Sequence, residues 1–251
     1  MITPDSGKKR RFLPIGAFLF WVAVWQAAAM AVGNMYILPS PWAVLKTLAA
    51  LSSQAAFWIS VLYSLSRILL GFLCGVAAGT LLAAATLRFR AADALISPLL
   101  RVVRATPVAS FIILAILWIG RNGVPAFTAA LMVTPLVWGN VTHAVEKTDK
   151  AYLEMAEAYR FGPGRKLQLI YVPTALPAWR AACLTGIGLA WKAGIAAEVL
   201  CQPPDAIGAK LYYAKIYIET PALFAWTAVV IALSFTIEKG FAAVVGRRGG
   251  G

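Results

Sequence analysis

Between Trp58 and Leu87 the chain carries one charged side chain, Arg67, and several other runs are as apolar. Such runs reach the roughly 18–20 residues that a helix needs to cross about 30 Å of hydrocarbon. In that medium each backbone amide must find its partner within its own segment, so the runs are expected to be helices. The whole chain agrees: it has 251 residues, of which 61% are hydrophobic. A soluble domain of this size needs far more polar residues to cover its surface. The reading is an all-α, polytopic membrane protein.

Six spans are expected, at about Leu13–Val32, Trp58–Leu87, Thr106–Gly120, Val124–Val145, Leu176–Leu200 and Ala222–Val245. That makes residues 13–245 one transmembrane domain with short tails at 1–12 and 246–251. The formal charge is +13, which raises nucleic acid as a partner, but the cations sit at the ends of apolar runs rather than on one polar face. One set of connections holds Lys8 to Arg11, Arg88, Arg90, Arg101, Arg104, Lys147, Lys150, Arg160, Arg165, Lys166, Arg180, Lys239, Arg247 and Arg248. The other holds Lys46, Arg121, Lys210 and Lys215, with Arg67 snorkelling outward. By the positive-inside rule both termini and the loop 146–175 belong in the cytoplasm. The first run has no small-residue cleavage site and is expected to stay as a span. Cys74, Cys183 and Cys201 lack metal-ligand spacing and His143 is the single histidine, so no metal site is expected.

Two spans are irregular. Val108–Gly120 is too short to cross alone, and Pro107 lacks an amide donor and disfavours helix at Thr106. A helix broken at Thr106-Pro107 exposes carbonyls, which membranes tolerate beside protein or a wet cavity, so a kink and a pathway lining are both open readings. In the second span Gly71, Gly75 and Gly79 recur every four residues, the pattern of a face that another helix approaches closely.

The loop is itself patterned. Asp149 suits an N-cap, and Tyr152, Met155, Ala156 and Tyr159 fall on one helical stripe. Gly162-Pro163-Gly164 predicts a bend, after which Leu167, Ile170 and Tyr171 predict a second short helix ending at Pro173. Helices so short are marginal alone, so the membrane surface or a partner is expected to cover them.

The loop resembles the EAA loop of ABC importer permeases, which reads Glu-Ala-Ala, three residues, Gly, nine residues, Ile, one residue, Leu-Pro. Glu154, Ala156, Ile170 and Pro173 match at that spacing, with Met155 and Val172 as substitutes and Arg160 at the glycine position. Leu38–Leu51, Ser64–Phe72, Arg104–Gly120 and Gly188–Leu200 are similar to segments of permeases for sulfonates, taurine, nitrate and thiamine precursors. The resemblance implies a type I permease fold in a bacterial inner membrane. It also implies docking of the loop on a separate ABC ATPase through Glu154, Ala156, Tyr159, Arg160 and Gly162, with Ile170 and Pro173 completing the motif. ATP and Mg would belong to that ATPase, since the chain has no Gly-x4-Gly-Lys-Ser/Thr. An extracytoplasmic binding protein and a second permease copy are the other implied partners. The chain itself is expected to bind no cofactor and to do no catalysis.

Lys192 and Glu198 lie in the fifth expected span, roughly 18 and 27 Å of helix beyond Arg180. A charge at mid-depth costs roughly 2.5–3.5 kcal/mol on insertion scales, so each needs a partner or water. Lys192 either faces the pathway, where it would attract an anion, or ties helices together; Glu198 either faces the pathway or sits at the outer interface. Trp191 either shapes the pathway wall or packs. Two rival classes differ in kind. A membrane-embedded enzyme would need clustered His, Asp, Glu, Cys or Ser residues, which are lacking here. An ion-coupled secondary transporter would carry internal repeats, and none is evident.

Overall fold

In the computed structural model the backbone is described for residues 9–246 and the side chains for residues 16–244. The basic residues Lys8 to Arg11, Arg247 and Arg248, on which the expected sidedness partly rests, lie outside the described side chains. Eleven helices run through the described residues: α1 Lys9–Val32, α2 Pro41–Ser52, α3 Ala55–Arg88, α4 Arg90–Ala105, α5 Val108–Ile119, α6 Val124–Glu146, α7 Lys150–Ala158, α8 Pro163–Lys166, α9 Val172–Cys201, α10 Ile207–Ile216 and α11 Thr220–Gly246. A π turn over Leu167–Tyr171 joins α8 to α9.

Among the described residues four of the six expected spans are found outright. Four helical stretches, Ala55–Arg88, Val124–Glu146, Pro163–Cys201 and Thr220–Val244, are long and apolar enough to cross a membrane, and a fifth counts only if α4 and α5 act as one. The first expected span falls within α1, whose described apolar part is Gly16–Val32. The expected break at Thr106-Pro107 is present, but it turns the chain through 109°. Thr106 is extended (ψ 135°) and Pro107 has no amide to carry the ladder on, so α5 starts afresh and is only about 18 Å long. α4 is amphipathic, with Leu100 and Val103 packed inward while Leu95, Leu99 and Val102 are exposed on the face opposite Arg101 and Arg104.

The chain divides into two compact units, Met1–Trp58 with Lys210–Val230, and Ile59–Ala209 with Ile231–Gly251. In the first, α1 stops at Gly33, whose φ of 63° suits a residue without Cβ. Ser40 then caps α2 by accepting the Ala43 amide at 3.2 Å, with Pro41 at its first position. Aromatic pairs hold this unit: Trp25 stacks on Phe224 at 5.8 Å and Phe57 on Trp226 at 4.9 Å.

In the second unit the glycine face of α3 meets α6 of the same chain. A Cβ at Gly75 or Gly79 would lie 2.8 or 2.6 Å from the carbonyl oxygens of Ala130 and Thr134, and one at Gly71 would strike that of Ala126. Backbones this close gain dispersion contacts that lipid cannot replace. α6 also pairs along α9. Gly186 and Gly194 let Val133 and Ile68 lie against α9, and the Trp138 indole donates to Thr86 Oγ1 at 3.0 Å.

Candidate functional site

The loop between α6 and α9 begins as its residue pattern indicates. Asp149 caps α7 by accepting the Ala151 amide at 2.9 Å. The apolar stripe then divides: Ala156 is fully buried, whereas Tyr152, Met155 and Tyr159 are exposed. Glu154, Arg160 and Gly162 are exposed as well. α7 ends when the Arg160 amide donates to Glu157 at 2.9 Å and the Phe161 amide donates to Ala156 at 2.8 Å. These two bonds define a Schellman stop, whose reversal residue is Arg160 with φ 52°. The bend expected at Gly162 is therefore at Arg160; Gly162 is extended (φ −66°, ψ 165°), as a residue before proline must be.

The second short helix expected to end at Pro173 does not end there. Pro163–Cys201 is one continuous helical stretch. Pro173 cannot donate to the turn before it, and the helix widens just upstream, with the Val172 amide reaching back to Leu167. Ile170 is buried in this turn and Pro173 is exposed. Behind the loop lies a cavity of about 1320 Å³, lined among others by Thr80, Val141, Phe161, Leu167, Tyr171 and Trp179. The Trp179 indole donates to Thr80 Oγ1 at 2.9 Å across its wall.

The intramembrane residues separate into two groups. Trp191 (1% exposed) and Glu198 (0%) are turned into the chain's own helices, so neither lines an outer wall. Glu198 Oε2 accepts from Ser64 Oγ at 2.8 Å and from the Gly208 amide at 3.1 Å, while Ser64 Oγ accepts the Ile207 amide at 2.9 Å. Ser64 and Glu198 thus cap the first turn of α10 together. Arg67 reaches the connection that follows α9: its Nη2 donates to the Pro204 carbonyl at 3.2 Å, next to this cap. Lys192, by contrast, is exposed. Thr106 turns its hydroxyl back to the Val102 carbonyl at 2.9 Å and Pro107 is exposed. Among the described residues no cluster of His, Cys, Asp or Glu could hold a metal ion.

The profile of the binding-protein-dependent transport system inner membrane component family matches residues 75–248. The chain belongs to this family. It is a permease subunit of an ABC importer, not an enzyme. The permease is similar to a probable ABC transporter permease protein of Haemophilus influenzae (26% identical; 85% of this chain, 87% of that one). It is also similar to the taurine transport system permease protein TauC of Escherichia coli (22%; 92% and 86%). A third relative is the riboflavin transport system permease protein RibX of Chloroflexus aurantiacus (28%; 90% and 84%). Among solved structures an amino acid ABC transporter shares the fold at a TM-score of 0.64 and 15% identity, over 79% of the permease and 95% of that chain. An inward-facing MetNI methionine transporter does so at 0.56 and 15%, over 76% and 93%.

Two residues of the permease escape its sequence pattern. Glu238 is a carboxylate within the last apolar helix; it accepts from Ser234 Oγ at 3.0 Å and lies against Gly188 of α9. Ser64 reads as an ordinary small residue in a span. The signal for both was spacing: Ser234 precedes Glu238 by one turn, and Ser64 precedes Arg67 by three residues, so each polar residue has a polar neighbour on its own helix face.

Proposed function

We propose that two copies of this permease form the translocation path for a small anionic solute, delivered by an extracytoplasmic binding protein and driven by two ABC ATPase subunits. The observation that carries the coupling half of this reading is the form of α7. Its inner side is fixed by buried Ala156 and its end by the Arg160 reversal, and Glu154, Tyr152 and Tyr159 are left exposed on a short rigid element. A small helix so anchored, with an aromatic and acidic edge outward, can carry a push from a partner into α6 and α9. ATP and Mg would be held by that partner. The positive-inside bias puts the loop, and with it both termini, in the cytoplasm, where an ATPase can reach it. The name of the taurine relative supports a solute that carries an oxyanion group, since taurine is a zwitterion with a sulfonate at one end.

The test is co-purification of the tagged permease with its ATPase subunit from membranes, before and after Glu154→Ala and Tyr159→Ala. Recovery of the ATPase with the wild type and its loss with the double variant is expected. Equal recovery in both would remove the assigned role of the loop. Uptake in vesicles driven by an ion gradient, with no ATPase present, would overturn the reading in favour of a secondary transporter.

A further inference from the structure

α9 is buried around most of its circumference, yet Ala181, Thr185, Lys192 and Ala196 are all exposed. Their spacing places them within about 60° of one another, on a single face of the helix. Three of the four are small, and the fourth is an ammonium roughly 14 Å of helix from the Cys201 end. Among the described residues no carboxylate lies within 4.0 Å of Lys192 Nζ. The acid closest to it by register is Glu238: a Cβ at Gly188, one turn before Lys192, would lie 2.7 Å from Glu238 Oε1. That carboxylate is already engaged by the Ser234 hydroxyl.

A lysine at this depth does not face lipid tails without strong cost, and no carboxylate among the described residues is in direct contact with it, so the face it sits on is expected to be wet. We propose that Lys192 is the anion-coordinating residue of the path, with its ammonium presented to the solute from the small-residue face of α9. This rests on the reading that two copies of the permease form the path, and it places this face of α9 on that path. An ammonium offers three donors and no acceptor, so it selects an oxyanion such as a sulfonate or carboxylate over a neutral or cationic solute of the same size. Small neighbours at 181, 185 and 196 leave room for the solute beside it, and the Thr185 hydroxyl, two turns away, can take a further contact. Two copies would present two such lysines.

The test needs no knowledge of the transported compound. Ala196→Cys puts a thiol one turn from Lys192 on the same face. Its rates with an anionic (sulfonatoethyl) and a cationic (trimethylammonioethyl) methanethiosulfonate reagent are measured in the complete transporter, each relative to the rate of a free thiol. The reaction of the native thiols, of which Cys74 is the exposed one, is subtracted using the parent protein. Anionic-to-cationic preference is expected with Lys192 in place. It should fall about tenfold with Lys192→Gln, because one unit charge across about 6 Å of water acts with opposite sign on the two reagents. Lys192→Arg should keep it. A thiol at 196 that neither reagent reaches, or a preference that Lys192→Gln leaves unchanged, would overturn the inference. ATPase co-purification is followed in the same preparations: its persistence alongside a failed preference sinks the anion site alone, and its absence from the parent protein sinks the permease reading on which the site depends.

Discussion

Ser64 and Glu198, 134 residues apart in the chain, are joined by a 2.8 Å hydrogen bond, and each also accepts an amide from the first turn of α10. A carboxylate in a membrane span is expensive, and this one is used to stop a helix end that would otherwise be buried unpaired. Gly208 makes the arrangement possible, since a Cβ there would collide with the Glu198 Cβ and backbone. Arg67, bonded to the Pro204 carbonyl, holds the other end of the same connection.

Glu198→Ala should therefore be destabilising without touching any exposed surface. It leaves the Ser64 hydroxyl and the Gly208 amide without an acceptor, at about 1–3 kcal/mol for each buried group. For a chain of this size that corresponds to a fall in melting temperature of about 4 °C or more. Glu198→Gln keeps an acceptor in place and should lose less. Adding Ser64→Ala to Glu198→Ala should cost less than the two separate losses combined, by roughly 0.5–3 kcal/mol. Thermal melts of the purified permease in detergent measure all four; an Ala variant as stable as the parent would show that the cap carries no weight.

The glycine face of α3 gives a paired prediction. Gly75→Ala and Gly79→Ala push a methyl to within 3 Å of α6 backbone, where nothing flexible can give way, and each should cost roughly 1–3 kcal/mol. Gly162→Ala meets nothing within 4 Å, and its φ of −66° is open to any residue. That variant should stay within about 0.5 kcal/mol of the parent. The same melts decide it, and equal losses at all three positions would mean that the α3–α6 approach is looser than described.

Arg160 tests a point where this chain departs from its family's loop pattern. A residue with a Cβ at φ 52° carries about 1–2 kcal/mol of strain that glycine would not. Arg160→Gly should strengthen the turn, slowing hydrogen exchange of the Phe161 amide by about fivefold for each kcal/mol gained. Faster exchange in the glycine variant would mean that the arginine side chain, and not the backbone, holds the reversal.

These positions differ in how much of them was legible beforehand. The apolar runs, the glycine spacing, the Asp149 cap and the break at Pro107 depend on periodicity and on backbone chemistry carried by single residues, and those features survive folding unchanged. The 109° turn between α4 and α5 does not follow from a proline alone; it depends on which helices then pack against each arm. In the same way Pro173 reads as a helix end, yet a π turn absorbs its missing donor, because α9 is held by its long pairing with α6. Whether Trp191, Lys192 and Glu198 faced inward or outward was open in the sequence. Six residues of rotation separate Lys192 from Glu198, but only the packing of α3 and α10 fixes which one is buried.

Ala156 is the position where fold and proposed coupling meet most closely. Its side chain is fully buried and its carbonyl takes the Phe161 amide at 2.8 Å, so α7 has no slack at this point. Ala156→Leu adds three carbons where there is no room, and overpacking of this kind costs roughly 1–3 kcal/mol. The cheapest relief is for α7 to lift away from the helices behind it, since its remaining neighbours Tyr152, Met155 and Tyr159 are already exposed. The expected result is a permease with unchanged helical content by circular dichroism, faster tryptic cleavage after Arg160, and less ATPase recovered on co-purification. Ala156→Ser, close in volume, should keep the parent's cleavage rate. If Ala156→Leu is cleaved no faster than the parent, α7 is not anchored through this residue, and the push proposed for it is not transmitted there.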